Sequence, residues 1–369
     1  MNILFTITGL AMGGAENQVV SVAENLACRG HKVTIAYMLE PALVVPQEGN
    51  IDVVWLGGDK TPAGMAKAFR NYLKLLKKLQ PDVVHSHMFH ANILARAARL
   101  FVRIPRVVST AHNTNEGGQL RMMAYRLTHK LADVFTNVSA EAVTAFEQKK
   151  AAPKNTMLTT HNGINTTKFS FNPAARLSLR HQFNLEESKV FIAVGRFHKQ
   201  KDYPNLFNAF VKVLQQQPDC KLLVVGDGEL RPELERLLVT LNIEDNVSLL
   251  GIRKDVPELL SASDVFVLSS AWEGFGLVVA EAMATERIAV ATDCGGVAEV
   301  MGDVGFLVKP QNSQLLANAM LEAAKLNEQE IEQIGKQGRL RIIEKYSLDA
   351  VVDRWEAIYT STSSDSAFR

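Results

Sequence analysis

The chain alternates between short, continuous apolar runs and longer segments in which apolar residues recur every three or four positions. The first run covers 3–8, and the first segment, 16–28, carries an apolar stripe from Val19 to Leu26. A short apolar run is typical of a strand buried on both faces, and the longer spacing is typical of an amphipathic helix. Strand and helix repeat in this order, which predicts parallel sheets with helices on both faces.

The alternation continues to about residue 148 and restarts near residue 189, after a polar, irregular stretch over 166–185. The first half predicts strands over 32–37, 52–56, 82–86, 106–111 and 134–138 and helices over 66–79, 91–100, 124–131 and 140–148. The second half predicts strands over 189–194, 221–225, 247–250, 265–268 and 288–291 and helices over 205–216, 231–241, 256–261, 276–284 and from 313 onward.

The break divides the chain into two expected domains, 1–168 and 169–346. A length of 369 residues also exceeds what a single hydrophobic core usually holds. Both halves have the pattern of a doubly wound, Rossmann-like α/β domain, and such sheets bind ligands beyond the carboxyl ends of their strands. We therefore expect two parallel sheets that face an interdomain cleft.

The composition is that of an ordinary globular protein, but its charge is unevenly distributed. Residues 1–170 carry 19 Lys and Arg against 11 Asp and Glu, whereas the remainder carries 21 against 28. A basic first half favours an anionic substrate or surface on that side. Uneven but functionless surface charge would give the same counts.

The cysteines and the apolar segments bear on the cellular compartment. Three distant cysteines without a CxxC pair indicate reduced thiols in a cytosolic protein. The apolar start, 3–12, has no basic residue before it and ends in Gly-Gly-Ala-Glu, as expected for a strand and turn rather than a signal peptide. No stretch approaches the roughly 18 apolar residues of a membrane span.

A glycine turn, GLAMGGAEN, lies between the first predicted strand and helix. Gly13 and Gly14 would allow close approach of the backbone, and the helix start behind them offers N–H groups to a phosphate. A plain tight turn would need the same glycines.

Basic residues follow two strands of the second half. Arg196 and Lys201, in VGRFHKQKDY, could bind phosphate oxygens, although exposed surface charge has the same pattern. Arg253, in LLGIRKDVPELL, could stack on a flat base or lie free on the surface. The turn VVGDGEL lacks the third glycine of a dinucleotide signature, so we reject that interpretation.

Two carboxylates bracket a Gly-Phe-Gly turn in SSAWEGFGLVVAEAMA. Glu273 and Glu281 stand in an otherwise apolar stretch, where burying a carboxylate is costly unless something pairs with it. Nothing nearby in sequence supplies a partner, so we expect a ligand to do so.

Histidines cluster in the first half. His112 ends a predicted strand in VSTAHNT, where it could contact substrate or cap the loop 113–118. His85, His87 and His90 have spacing that could suit a metal, but no carboxylate or cysteine joins them at ligand spacing. We therefore expect no metal site.

Taken together, these motifs are more specific than any one of them. The order GGAEN, TAHNT, HNGIN, GRFHKQKD, GDGE, LLGIRKDVPELL and EGFGLVVAE resembles that of the retaining glycosyltransferase family 4, of GT-B architecture. The resemblance covers nearly the whole chain and is strongest in the Glu-x7-Glu and Gly-Arg-x4-Lys motifs. It is nearest to bacterial enzymes that build O-antigen, capsule or related surface polysaccharide.

The resemblance implies a role for each matched residue toward a nucleotide-sugar donor. Glu281 would bind the ribose hydroxyls, and Glu273 would lie at the transferred sugar and stabilise positive charge at its anomeric carbon. Arg196 and Lys201 would hold the diphosphate, and His112 would lie near the reacting sugar. The other expected donor contacts are Gly13 and Gly14 at the diphosphate, Ile252 and Arg253 at the base, and the helix start formed by Gly274, Phe275, Gly276, Leu277 and Val278 at the distal phosphate.

The resemblance also implies the reaction and its setting. It implies metal-independent transfer of a hexose or N-acetylhexosamine from a UDP-sugar, or from a GDP-sugar, to a lipid-diphosphate-linked saccharide, with no cofactor and no nucleic-acid partner. It further implies that 347–369 forms a C-terminal helix that packs back on the first domain. A nucleotide-sugar epimerase of GT-B fold and a non-catalytic nucleotide-sugar binder are the alternatives.

A basic first domain would suit attachment to the inner face of the bacterial cytoplasmic membrane. The predicted helix 66–79 is amphipathic and basic, and a second basic stretch contains Arg96, Arg99, Arg103 and Arg106. Such a face would bind anionic lipid. Alternatively, the apolar stripe of the helix packs on the sheet and its lysines only keep that surface soluble.

Overall fold

The computed structural model describes residues 1–11, 13–47, 50–114 and 116–361. Met12 in the glycine turn, Asn115 in the loop after His112, and residues 362–369 of the expected C-terminal segment lie outside the described residues. The chain forms two compact units. Unit 1 comprises Met1–Gly163 and the segment that begins at Leu348, and unit 2 is Ile164–Ser347.

Unit 1 is built on a seven-stranded parallel sheet in the order β3-β2-β1-β4-β5-β6-β7. Its apolar strands are covered by helices on both faces, which confirms the doubly wound fold predicted for this half. The strands are β1 (Asn2–Leu10), β2 (Lys32–Ala42), β3 (Asp52–Trp55), β4 (Val83–His87), β5 (Arg106–Ala111), β6 (Val134–Asn137) and β7 (Met157–Thr159). The helices within Met1–Gly163 are α1 (Gly14–Cys28), α2 (Pro62–Leu79), α3 (Phe89–Ala98), α4 (Gln119–Thr128) and α5 (Ala140–Gln148).

Unit 2 is built on a six-stranded parallel sheet in the order β10-β9-β8-β11-β12-β13. The strands are β8 (Val190–Val194), β9 (Lys221–Val225), β10 (Val247–Gly251), β11 (Val265–Leu268), β12 (Ile288–Thr292) and β13 (Phe306–Val308). The helices are α6 (Pro173–Gln182), α7 (Tyr203–Leu214), α8 (Arg231–Leu241), α9 (Val256–Ala262), α10 (Leu277–Ala284), α11 (Val297–Met301), α12 (Ser313–Lys325) and α13 (Glu328–Tyr346).

The last helix, α14 (Leu348–Thr360), is part of unit 1. Trp355 and Tyr359 are buried in the same apolar core as β1 and α1. Arg29, directly after α1, forms ion pairs with Asp353 (2.5 Å) and Glu356 (2.6 Å) of this last helix. The chain passes from unit 1 to unit 2 at residue 163, five residues before the expected boundary at 168, and returns at residue 348.

The stretch 166–185 is not irregular as the sequence suggested, because α6 forms within it. The side chain of Asn172 caps the helix by accepting a hydrogen bond from the amide of Ala175 (3.0 Å). Pro173 takes the first helical position, where its missing N–H costs nothing. Arg176 on this helix then pairs with Asp264 at 2.5 Å. The proline therefore marks a helix start rather than a loop.

The two segments expected to form a basic face differ in the structure. The apolar stripe of α2 packs on the core of unit 1, as the alternative interpretation held, and its basic residues lie outside. The second stretch does not form a basic face. Arg96 is fully buried with its guanidinium over the Phe135 ring, and Arg99 pairs with Asp133 at 2.9 Å.

Candidate active site

Three loops of unit 2 meet beyond the carboxyl ends of the neighbouring strands β8, β11 and β12. The hydroxyl of Ser269 donates to the carbonyl of Lys201 (2.7 Å), and the amide of Ala271 donates to the carbonyl of Gln200 (2.8 Å). At the end of β12, the hydroxyl of Thr292 donates to the carbonyl of Ser270 (2.7 Å). These bonds fix the backbone around the Glu-x7-Glu motif.

A glycine lets the third loop approach the first glutamate closely. Gly295 has φ +60°, and a Cβ atom at this position would lie 2.2 Å from the carbonyl oxygen of Glu273. Only a residue without a side chain fits there. The glycine pair that follows β12 therefore helps to hold Glu273 in place.

Glu273 has protein partners, so the expectation that only a ligand would pair with it is wrong. The ammonium of Lys201 lies 2.6 Å from Oε1, and the Ser270 hydroxyl donates to the same oxygen at 2.7 Å. Gln200 Nε2 donates to Oε2 at 3.2 Å. These bonds offset the cost of burying the carboxylate and fix its orientation.

Glu281 lies in a different environment, although it stands only eight residues further along the chain. Its side chain is partly buried on α10, and none of the described residues donates a hydrogen bond to its carboxylate. Burial raises the pKa of Glu281 to about 8, against the opposing charges of Lys168 and Lys201. A group that donates hydrogen bonds to this carboxylate would stabilise its ionised form.

The segment between the two glutamates turns into the N-terminus of α10. Gly276 adopts the left-handed conformation (φ +87°) immediately before the helix, and the amides of Leu277 and Val278 have no acceptor within it. Phe275 is buried against Tyr346, with the ring centroids 5.5 Å apart, and the carbonyl of Gly274 accepts from Gly296 at 3.2 Å. This helix start offers N–H groups and the positive end of a dipole to an anion.

The two candidate arginines of unit 2 are held differently. Arg196 is exposed, and none of the described residues forms an ion pair with it. Arg253 is bound through two nitrogens to Asp255, at 2.8 and 2.5 Å, which fixes the plane of its guanidinium. Ile252 beside it is 62% exposed. Arg196 is free to bind an anion, whereas Arg253 presents a fixed flat surface.

In unit 1, the glycine turn contains a carboxylate of its own. Gly13 is the N-cap of α1 in an extended conformation, and Gly14 begins the helix. A Cβ atom on Gly13 would lie 2.4 Å from a carboxylate oxygen of Glu16. The sequence had suggested this helix start for a phosphate, and the structure adds that the buried Glu16 lies against it.

His112, which follows β5, is hydrogen-bonded to His87 at the end of β4. Its Nε2 lies 2.9 Å from Nδ1 of His87, while its backbone N–H donates to Glu116 at 2.9 Å. His85 bonds through one nitrogen to Tyr359 (2.7 Å) and through the other to Thr110 (2.8 Å). Burial lowers the pKa of His112 to about 4 and holds the pKa of His85 and His87 well below the ordinary value, so the three rings are neutral at pH 7.

The predicted site residues fall into two groups. Unit 2 contains Arg196, Lys201, Ile252, Arg253, Glu273, Glu281 and the start of α10, and unit 1 contains Gly13, Gly14 and His112. Sequence reasoning missed Gln200 and Ser270, which bind Glu273. Ser270 stands three residues before Glu273 and Gln200 directly before Lys201, but neither position has a distinctive residue type.

The described part of the chain contains neither a cluster of metal-ligating side chains nor a membrane-spanning helix. Within residues 1–11, 13–47, 50–114 and 116–361, no group of three or more His, Cys, Asp or Glu side chains is arranged to hold a metal ion. Over the same residues, no helix is both long and apolar enough to cross a bilayer.

Comparisons with known proteins match both halves of the chain. Residues 12–168 match the model of Glycosyltransferase Family 4, and residues 176–341 match that of Glycosyl transferases group 1. A UDP-Gal:alpha-D-GlcNAc-diphosphoundecaprenol alpha-1,3-galactosyltransferase from Escherichia coli is 29% identical over 310 residues, 79% of each chain. The N-acetyl-alpha-D-glucosaminyl L-malate synthase of Bacillus anthracis is 29% identical over 75% of this chain and 74% of its own.

Solved structures show the same fold. Anabaena HepE, determined in complex with UDP, superposes with a TM-score of 0.85 at 22% identity, over 98% of this chain and all of its own. A sucrose-phosphate synthase from Thermosynechococcus elongatus gives a TM-score of 0.81 at 20% identity, over 97% and 98%. Both halves of the chain thus match glycosyltransferase family models, and the fold is that of the GT-B glycosyltransferases.

Proposed function

We propose that this protein is a retaining glycosyltransferase that moves a hexose or N-acetylhexosamine from a UDP-sugar to a lipid-diphosphate-linked saccharide in bacterial surface polysaccharide synthesis. One observation carries the proposal. The loops after β8, β11 and β12 bring Lys201, the hydrogen-bonded carboxylate of Glu273 and the open N-terminus of α10 into one site, with Glu281 on the same helix.

The proposed mechanism separates charge between the two parts of the donor. As the bond to the anomeric carbon breaks, the diphosphate gains negative charge, which Arg196, Lys201 and the amides of Leu277 and Val278 stabilise. Glu273 stabilises the positive charge that develops on the sugar. The acceptor hydroxyl attacks from the face that the diphosphate leaves and gives its proton to the departing diphosphate oxygen, so configuration is retained. Cationic side chains and a helix start perform the role that a metal ion has in other transferases.

The remaining residues of the proposed site would bind the ribose and the base of the donor. The carboxylate of Glu281 accepts hydrogen bonds from the ribose hydroxyls, and the guanidinium of Arg253 and the backbone of Ile252 frame the base. Anabaena HepE was solved in complex with UDP-glucose as well as with UDP, which supports a UDP-sugar. The proposal gives Gly13 and Gly14 a role at the diphosphate and His112 a role at the reacting sugar.

Two relatives support a lipid-linked acceptor, because their names specify one. One is the Escherichia coli galactosyltransferase, and the other is a Campylobacter jejuni N-acetylgalactosaminyltransferase that acts on a diphospho-undecaprenol saccharide and is 26% identical over 69% of this chain. Both names place the acceptor saccharide on a polyprenyl diphosphate, a membrane lipid. We extend this acceptor class to the present chain.

We further propose that α4 provides the membrane contact expected of unit 1. Leu120 and Leu127 are each 76% exposed on this helix, and Met123 between them is half exposed. The exposed Arg121 and Arg126 lie on the same helix. Exposed apolar side chains flanked by arginines suit insertion at an anionic lipid surface. The sequence had indicated α2 and the stretch from Arg96 to Arg106 instead.

Donor binding and product analysis test the proposal. Calorimetry with a panel of UDP- and GDP-sugars, without added metal, is expected to show selective binding of a UDP-sugar. Glu281→Ala is expected to weaken that binding at least tenfold, because two ribose hydroxyls lose their acceptor. Glu244→Ala, an exposed carboxylate elsewhere in unit 2, is the matched control and is expected to bind normally.

The outcomes separate the proposal from its alternatives. Failure of every donor to bind a folded protein would overturn the donor site. Conversion of one nucleotide sugar into another without acceptor would indicate an epimerase, and binding without any turnover would indicate a nucleotide-sugar sensor.

Flotation with anionic vesicles tests the membrane contact. Leu120→Gln with Leu127→Gln is expected to reduce the bound fraction severalfold. The matched control replaces Leu177 and Leu340, two exposed leucines of unit 2, in the same way and is expected to bind as wild type does. If the α4 variant and the control variant bind the vesicles equally, the membrane contact lies on another surface.

A further inference from the structure

A small cavity lies inside unit 1, behind His112. It is lined by residues of β4, β5, α1 and α14 and has room for about one water molecule. Two of its lining side chains are more than nine-tenths buried and have a polar atom without a protein partner, namely Nε2 of Gln18 and Nε2 of His87. A buried polar group without a partner is costly, so these atoms indicate a bound polar molecule.

The two nitrogen atoms differ in whether they can donate or accept a hydrogen bond. The carbonyl oxygen of the Gln18 amide accepts a hydrogen bond from the backbone N–H of Gly163 at 3.1 Å. This bond sets the orientation of the amide, so its Nε2 carries two hydrogens and can only donate. His87 Nε2 can donate or accept, depending on which ring nitrogen carries the proton.

The hydrogen bond between His87 and His112 couples the protonation of His87 Nε2, in the cavity, to the protonation of His112 Nδ1. Between two neutral rings, one hydrogen occupies the bond from His87 Nδ1 to His112 Nε2. If His87 donates it, His87 Nε2 is a bare acceptor in the cavity and His112 carries its proton on Nδ1. If His112 donates it, His87 Nε2 carries a proton and His112 Nδ1 is bare.

We propose that a water molecule bound between Gln18 and His87 fixes His112 as the tautomer with its proton on Nδ1. The water accepts a hydrogen bond from Gln18 Nε2 and donates one to His87 Nε2. His87 then donates from Nδ1 to His112. Gln18 and His87 are therefore positioning residues, and neither touches the substrate.

The tautomer determines whether Nδ1 of His112 donates or accepts a hydrogen bond. A protonated Nδ1 donates a hydrogen bond to an oxygen of the bound sugar or acceptor, and it cannot take the proton of the attacking hydroxyl. This consequence rests on the proposed function, in which His112 lies near the reacting sugar. The tautomer itself does not depend on that function.

Nitrogen-15 NMR of protein labelled at its nine histidines measures the tautomer directly, because protonated and bare ring nitrogens differ widely in chemical shift. In wild type, His112 is expected to carry its proton on Nδ1. In Gln18→Met, which keeps the side-chain length but removes the donor, both tautomers of His112 are expected. Gln148→Met, an exposed glutamine of unit 1, is the control and is expected to leave His112 unchanged.

A second variant keeps the test decisive if Gln18→Met does not fold. His87→Phe removes the partner of His112 and is likewise expected to give both tautomers. A proton on Nε2 of His112 in wild type would overturn the proposal, as would an unchanged tautomer in the variants. If no donor turns over, the proposed function fails, but the NMR result still decides the present inference.

Discussion

At the scale of single residues, the site depends on two glutamates with opposite environments. Glu273 is buried but bound by Lys201, Ser270 and Gln200, which hold its carboxylate in place. Glu281 has no such donors, and its pKa is raised to about 8. One carboxylate is thus held by the protein itself, whereas the other is proposed to gain its partners from the substrate.

The Lys201–Glu273 pair is expected to stabilise the fold as well as the site. Lys201→Met leaves a buried carboxylate without its charged partner, so the free energy of unfolding in urea should fall by about 2 kcal/mol. In a Glu273→Gln background the same substitution should cost clearly less, because the amide carries no charge. The exposed pair Lys336–Glu332 is the matched control, where Lys336→Met should leave the free energy of unfolding nearly unchanged. If Lys201→Met lowers the free energy of unfolding equally in wild type and in Glu273→Gln, Lys201 and Glu273 are not energetically coupled.

Binding of UDP is expected to release a proton near pH 7. Below its raised pKa the Glu281 carboxyl is mostly protonated, and ribose hydroxyls favour its ionised form, so binding expels the proton. Calorimetry in buffers of different ionisation enthalpy measures this release. Glu281→Gln should abolish it, and a release that persists in the variant would assign the proton to another group.

The same shift predicts how stability depends on pH. Because the folded-state pKa of Glu281 is raised above the ordinary 4.5, the folded protein holds the proton more tightly than the unfolded chain does. Wild type should therefore lose stability relative to Glu281→Gln as pH rises from about 4.5 to about 8. If the free energies of unfolding of wild type and Glu281→Gln change with pH in parallel over this range, the pKa of Glu281 is not raised.

At the scale of elements, the glycine before α10 shapes the proposed phosphate site. Gly276 (φ +87°) has Val297 Cγ2 2.9 Å from the position of a Cβ atom, whereas Gly30 has nearly the same φ (+86°) and nothing within 4 Å. Alanine at either position costs about 1 kcal/mol of backbone strain. Only Gly276→Ala also displaces neighbouring atoms.

Gly276→Ala should therefore destabilise the protein more than Gly30→Ala and weaken UDP binding about tenfold. Urea denaturation and calorimetry on the two variants provide the comparison. Equal UDP affinity in both would show that the helix start does not bind the diphosphate.

Most elements could be predicted from the pattern of the sequence, but the contacts that define the site could not. Several predicted elements, such as the strand 106–111 and the helix 231–241, have the observed bounds, because buried strands and amphipathic helices have clear periodicities. Lys201 and Glu273 stand 72 residues apart and meet because β8 and β11 are neighbours in the sheet. Strand order is a tertiary property, so neither this pair nor the His87–His112 pair could be predicted from spacing.

The helix α6 and strand β7 show a second limit. A three-residue edge strand is too short to have a periodicity, and the helix was hidden by the polar residues around Pro173. The cap by Asn172 and the proline at the first helical position were the available signals, and both were interpreted as loop residues.

At the scale of the whole molecule, the chain consists of two doubly wound units with different contents. Unit 1 contains the buried side chains of His85, His87 and His112, the cavity that they help to line, and the exposed apolar residues of α4. Unit 2 contains the glutamates, the cations and the helix start proposed to hold the donor. Unit 1 also includes α14, which follows unit 2 in the sequence. All of unit 2 therefore lies between the two segments of chain that form unit 1.

The central claim is retaining transfer from a nucleotide sugar, and the anomeric configuration of the product tests it most directly. Purified protein is incubated with an α-linked UDP-sugar and a lipid-diphosphate-linked saccharide, and the new linkage is assigned by NMR. We predict an α-linked product, formed without added metal and reduced at least a hundredfold in Glu273→Gln while UDP still binds. A β-linked product, or undiminished transfer by Glu273→Gln, would contradict the account.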